Sequence, residues 1–306
     1  MEQSIQQVLA KYNKPLFAFS NYQQNNWLQL ILMFREIAMR FKKVFLGFFI
    51  LGLAATSPLA QAKDVASRSI DDIRACMRVN VYDRGSLRDF QIKAVDQEGK
   101  SNTVKVKVFW KPAKSSKDVR ITLQVIKPET LAGTAYLLTR SKDEEQLYLY
   151  LSAIRRVKSV IGSEMTQKLF GSDFTFADIK QVQGLILDGN VQRVADQQIS
   201  GRPVYVLETQ TDKEQTGYRM VRSYVDHESC VLFKSELFSE GETPHKTMEA
   251  DVSTLLEVDP WWLILSYRMT DHLTGTHTDL ALSEFYIHER LPESLFTPDG
   301  FYKNRE

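Results

Sequence analysis

Only two cysteines, Cys76 and Cys230, occur in 306 residues. So few exclude a disulfide-dense scaffold and any four-cysteine metal site. An excess of either charge is also missing, with 39 Lys and Arg against 38 Asp and Glu. A nucleic-acid binder carries a clear basic surplus, so that class is set aside. No apolar run is long enough for a membrane span: the best, Val44–Ala55, has twelve residues, where a bilayer needs about 20. The catalytic motifs are missing as well. There is no G-x-S-x-G, H-E-x-x-H, C-x-x-C, phosphate-binding loop or dinucleotide fingerprint, and the expectation is a protein that is not an enzyme.

What is present begins with a secretory pattern. Arg40, Lys42 and Lys43 precede the Val44–Ala55 run, and Ala60-Gln61-Ala62 follows as a small-x-small cleavage site. That order predicts a signal peptide over residues 39–62, cleaved after Ala62. Residues 1–38 resemble no part of such a signal, so Met39 is the expected start and the preceding stretch an extension of the gene model. Without residues 1–62 the balance falls to about −3, because they hold six basic and two acidic residues. The remaining 63–306 can form one large domain. No cysteine stands at the cleavage point, so lipid anchoring there is not expected. Both cysteines fall in the exported part, where an oxidising compartment favours a disulfide over two buried thiols.

Periodicity then sets the fold class. Ile70, Ile73, Cys76 and Met77 recur at helical spacing within Val65–Val79, an amphipathic helix. Beyond it the period is two. Phe90–Val95, Thr103–Trp110, Val119–Ile126, Thr134–Thr139, Gln146–Leu151 and Arg155–Val160 read as strands. After a stretch of short helical or looped segments over Ser163–Ile179, strands resume at Val191–Ile199, Val204–Gln210, Tyr218–Asp226, Val231–Ser239, His245–Val252, Leu263–Thr270 and Thr276–Glu289. Turn residues separate them. The expectation is a mainly β (α+β) domain: one strongly curved antiparallel sheet with a wet face, forming an unclosed barrel with helices against the concave side.

Individual residues offer little chemistry. His272 and His277 flank a turn but have no further ligand beside them, so no metal or other cofactor is expected. Asp173 and Asp178 suit the capping of neighbouring turns or helices. Arg155, Arg156 and Lys158 read either as charges guarding a sheet edge or as contacts for an acidic partner or lipid headgroups. Trp110, Tyr148, Tyr150, Phe170 and Phe174 are candidate walls of an apolar cavity, since a curved sheet of this size can hold one ligand.

Tyr148–Ser163 (YLYLSAIRRVKSVIGS) followed by Leu169–Ile179 (LFGSDFTFADI) closely resembles the signature of the periplasmic outer-membrane lipoprotein-sorting family, relatives of the LolA and LolB carriers. Gly201–Tyr205, the Val225-Asp226…Cys230-Val231 pair and Leu291–Thr297 extend the resemblance over nearly all of 63–301; Ser152 stands where many relatives have proline. The resemblance implies an unclosed barrel lidded by helices, and a disulfide between Cys76 and Cys230. It implies a monomeric periplasmic carrier of the acyl chains of a lipoprotein or other lipid, serving outer-membrane biogenesis, with Arg155 and Arg156 at the cavity rim. In the longer branch it also implies association with an inner-membrane exporter of the resistance-nodulation-division type. The alternative is an accessory protein that docks such a transporter without cargo.

Overall fold

The computed structural model describes residues 68–80, 85–112, 119–141, 144–182, 190–258, 261–287 and 290–303. The expected signal peptide, its cleavage site and the 1–38 extension lie outside the described residues. The described residues fall within one compact unit.

The described residues open with helix α1, Ile70–Val79. Ser69 caps it reciprocally: its Oγ accepts from the Asp72 amide, and the Asp72 carboxylate accepts from the Ser69 amide. Two orphan amides are satisfied this way, with acids at the positive end of the helix dipole. Ile73 and Met77, one turn apart, are buried. The Cys76–Cys230 disulfide ties this helix to the turn between two later strands.

Among the described residues fifteen strands follow. β1 to β6 are Ser86–Val95, Ser101–Pro112, Val119–Lys127, Ala135–Ser141, Glu144–Leu151 and Arg156–Val160. β7 to β11 are Asn190–Ile199, Arg202–Gln210, Met220–Asp226, Leu232–Phe238 and Lys246–Ala250. β12 to β15 are Leu255–Val258, Trp261–Ile264, Ser266–Asp271 and Thr276–Ile287. Thirteen of them form one antiparallel sheet in the order β6-β5-β4-β3-β2-β1-β15-β14-β11-β10-β9-β8-β7, while β12 and β13 pair separately. The sheet is not closed, since β6 and β7 each end it. Turns of two to several residues connect the meander. At β7–β8, Ser200 and Gly201 both adopt positive φ, 51° and 76°, the conformation a tight hairpin requires.

Curvature follows from what the strands share. β3 and β10 are six places apart in the sheet, roughly 29 Å if the sheet were flat. Yet Ile121 and Leu123 of β3 line the same cavity as Leu232 of β10. The chain must also pass from the β6 edge to the β7 edge. Within that connection lies helix α2, Phe176–Val182, and the connection packs Phe170, Phe174 and Ile179 into the main core. A third short helix, α3, spans Lys213–Thr216.

The expected wet face is only partly wet. Over β3 to β5 the outer face carries Ala135, Leu137 and Tyr150, covered by Leu291, Leu295, Phe296 and Phe301 of the C-terminal segment. Further along the sheet that face is charged, with Arg222 bridging Glu208 and Glu236 across neighbouring strands.

Candidate functional site

Beneath the sheet's inner face lies an apolar cavity of about 170 Å³. Strand alternation builds its floor. Phe90 and Ile92 of β1, Val106, Val108 and Trp110 of β2, and Leu280 and Leu282 of β15 all point inward. Its roof has separate parts: Met77 and Asn80 from the end of α1, Cys230 and Val231 at the disulfide turn, Ile179 of α2, and Trp262 to Leu265 from the β12–β13 hairpin. Asn80 joins these parts. Its amide nitrogen donates to the Ser229 carbonyl at 2.7 Å, and its side-chain oxygen accepts from the Trp262 amide at 2.9 Å. Arg88 also lines the cavity; its guanidinium lies over the rings of Trp110 and Phe285, 5.6 and 5.5 Å from their centroids.

A second, smaller cavity of about 50 Å³ adjoins it, lined by Tyr136, Leu138, Leu147, Met165, Leu169 and Phe176. Ile121, Leu123 and Ile179 line both cavities. The two are therefore neighbouring chambers under one curved sheet.

Buried ions pin the chain segment above the second chamber. Lys246 of β11 donates to the Asp173 carbonyl at 2.6 Å and to the Asp178 carboxylate at 3.2 Å. Lys168 bridges the carboxylates of Asp173 and Asp271, at 2.9 and 3.2 Å. Asp173 also accepts from the hydroxyls of Thr276 and Thr278. Asp178 caps locally, accepting from the Thr175 amide at 2.8 Å, so capping is one of its two tasks. Burial raises the Asp271 carboxyl, but hydrogen bonds from the Thr274 amide and from Lys168 outweigh this and hold it below the usual range. Burial likewise pushes His245, beside Asp271, below its ordinary value. Tyr218 is held well above the usual phenol range, by burial first and by the Asp178 charge second.

Of the five aromatic candidates, Trp110 lines the larger cavity, 2% exposed. The other four line neither chamber. Tyr148 and Tyr150 alternate with Leu147 and Leu149 and point to the outer face, where Tyr150 stacks on Tyr302 at 4.0 Å between ring centroids. Phe174 fills the main core, and Phe170 packs edge-on against Tyr136 at 5.5 Å. Arg155 and Arg156 stand at the exposed β5–β6 turn, not at a cavity rim. Sequence reasoning missed the hairpin residues Leu263 and Ile264; the apolar run Trp261–Leu265 was their signal. Among the described residues no three His, Cys, Asp or Glu side chains gather as metal ligands. His272 instead shares a hydrogen bond with Thr247.

A family model with the description "-like: Uncharacterized protein" matches residues 117–302, more than half of the chain. The chain belongs to that family. Curated proteins offer no match. Solved structures do. An outer membrane lipoprotein-sorting protein domain from Vibrio parahaemolyticus superposes with a TM-score of 0.68 and 20% identity, over 78% of this chain and 97% of that one. A DUF1329 family protein from Desulfovibrio piger gives 0.67 and 19%, over 74% and 95%. A LolA superfamily protein from Nitrosomonas europaea gives 0.60 and 16%, over 76% and 98%. At these identities the likeness establishes the fold, which is LolA-like. In this LolA-like fold the chambers lie where the open sheet, the connection between its edges and the hairpin meet.

Proposed function

We propose that the protein is a periplasmic carrier that shelters acyl chains of a lipoprotein or other lipid, on the way toward the outer membrane. The observation that carries this reading is the hollow, apolar-walled space between the curved sheet and a roof of several separate pieces. Each methylene moved from water into such a space contributes about 0.8 kcal/mol, so a carrier needs no chemistry beyond a dry wall and a movable roof. Size limits what enters without movement. An engineered cavity of about 150 Å³ takes one benzene, so the 170 Å³ chamber admits a short apolar segment as it stands. A long chain must reach the second chamber or lift the roof. Removal of residues 39–62 after Ala62 would release the domain into the periplasm, and the likeness to an outer membrane lipoprotein-sorting domain supports a lipoprotein-sorting role. An exporter of the resistance-nodulation-division type is the donor to seek by co-purification.

The test is uptake of a fluorescent fatty acid by delipidated protein, followed along a chain-length series from octanoate to palmitate. Affinity is expected to rise with length until both chambers are filled. Failure to bind any member of the series, or any lipopeptide, overturns the reading.

A further inference from the structure

Six large hydrophobic side chains are exposed among the described residues, and three of them fall within eight residues: Ile154 at 60%, Val157 at 38% and Ile161 at 72%. They sit on the β5–β6 turn and along β6, an edge strand of the sheet. Arg155, Arg156 and Lys158 are interleaved with them. Lys158 pairs with Glu164 at 2.8 Å, whereas Arg155 and Arg156 have no acidic partner among the described residues. Edge protection accounts for the cations, because charge on an edge deters pairing with another sheet. It does not account for exposed isoleucines at both ends of the same short element, which would favour such pairing. Apolar side chains set among unpaired cations match the interface of an anionic bilayer, where apolar groups enter the acyl boundary and arginines meet phosphate.

We propose that the β5–β6 turn and the β6 edge form a docking surface for an anionic phospholipid membrane. Its position gives the docking a use. Val160, the buried residue of β6, packs with Leu147 and Met165, and these two line the second chamber. A bilayer meeting this edge lies next to the smaller cavity. The proposal stands apart from the carrier reading, since membrane binding and fatty-acid uptake are measured separately.

Both native cysteines are in the disulfide, so an introduced thiol takes a dye selectively. The full chain carrying Ile154→Cys is labelled with an environment-sensitive nitrobenzoxadiazole dye; Glu242→Cys on the β10–β11 turn serves as the control position. With vesicles of phosphatidylglycerol and phosphatidylethanolamine, the dye at 154 is expected to brighten and shift to the blue. Neither the dye at 242 nor the addition of phosphatidylcholine vesicles should give that response. Arg155→Asn with Arg156→Gln is expected to weaken the response at 154 about 30-fold, at about 1 kcal/mol for each cation near an anionic surface; asparagine tolerates the positive φ of Arg155, 52°. The proposal is overturned by no response at 154, by an equal response to neutral vesicles or at 242, or by a response the double substitution leaves unchanged. A response to an acidic protein but not to vesicles overturns it in favour of a protein partner.

Discussion

Lys246→Met tests whether the buried ion cluster holds the roof segment down. The Lys246 and Asp178 side chains are 3% and 0% exposed, so removing the ammonium leaves a carboxylate in the interior without its cation. Burial disfavours a charge on the nearby His245, and Lys168 is engaged with Asp173 and Asp271. Breaking such a pair costs about 3–5 kcal/mol, a factor of roughly 10² to 10⁴ in the folding equilibrium. Removing both charges is milder: Lys246→Met with Asp178→Asn should cost less than Lys246→Met alone, since no uncompensated charge is left and the asparagine oxygen still accepts from the Thr175 amide, while the Asp173 carbonyl loses its donor in both variants, about 1–3 kcal/mol. The exposed pair Lys213–Glu240, 52% and 83% accessible, supplies the control, and Lys213→Met should stay within about 0.5 kcal/mol of the parent. Urea unfolding followed by tryptophan fluorescence measures all three. Hydrogen exchange should locate the weakening in residues 168–182. A Lys246→Met loss below about 1 kcal/mol, or a double variant worse than the single, refutes the assignment.

Cys76→Ala with Cys230→Ala should destabilise by up to about 5 kcal/mol on the loop-entropy model, given a separation of 154 residues; a melt unchanged by the substitutions or by reductant counts against it. Asp226 also titrates below the usual range: burial raises it, but Arg202 and the Ser229 amide and hydroxyl lower it further. For Asp226 and Asp271 the folded pKa is the lower one, so their contribution is complete above the unfolded value near 4 and is lost as pH falls through the folded values. Melting temperature should therefore drop in acid, with a shallower slope for Asp226→Asn; an unchanged slope refutes its role. Leu280→Trp, projecting into the larger chamber, should weaken fatty-acid binding about tenfold or more by displacing two methylenes; unchanged affinity would place the ligand elsewhere. Gly300→Ala would drive its Cβ into the Ser294 carbonyl oxygen and should cost about 1–3 kcal/mol, read as a lower urea midpoint.

Most of the sheet was legible because its strands alternate, and alternation reports burial on one face. Where both faces are buried the signal loses its sign. In QLYLYL, Leu147 and Leu149 face inward while Tyr148 and Tyr150 lie under the C-terminal segment, so parity alone could not say which set faces a cavity. The same loss explains the hairpin. Trp261–Leu265 runs into Ser266–Asp271 with no glycine or proline between them, so the stretch reads as one strand, and only pairing with Leu255–Val258 reveals that its first part bends away from the large sheet. Asp178 was readable as a local cap and is one, whereas Asp173, expected to cap as well, instead accepts from Lys168, Thr276 and Thr278. Lys246, which meets the Asp173 carbonyl and the Asp178 carboxylate, is 73 and 68 residues away, a partner that only the folded topology brings near.

The two apolar surfaces of this one sheet argue that the hollow is built in. On the outer face, the C-terminal segment brings Leu295, Phe296 and Phe301, all nearly inaccessible, onto Ala135 and Leu137. The segment also folds tightly on itself, so that a methyl at Gly300 would meet the Ser294 carbonyl. This chain can therefore pack a curved β surface to interior density, which is the ordinary outcome of folding. On the inner face it does so only beside the cavities, where Phe174, Leu237, Met248 and Met269 are fully buried. Over the cavities the roof is joined by directional links, the Asn80 hydrogen bonds, the disulfide and the lysine–aspartate contacts, and the space beneath them stays unfilled. Directional links at the margins fix the roof parts without consuming the apolar wall between them. An apolar wall of that kind is what the proposed carrier reading needs, since it would accept an extended acyl chain more readily than a polar ligand.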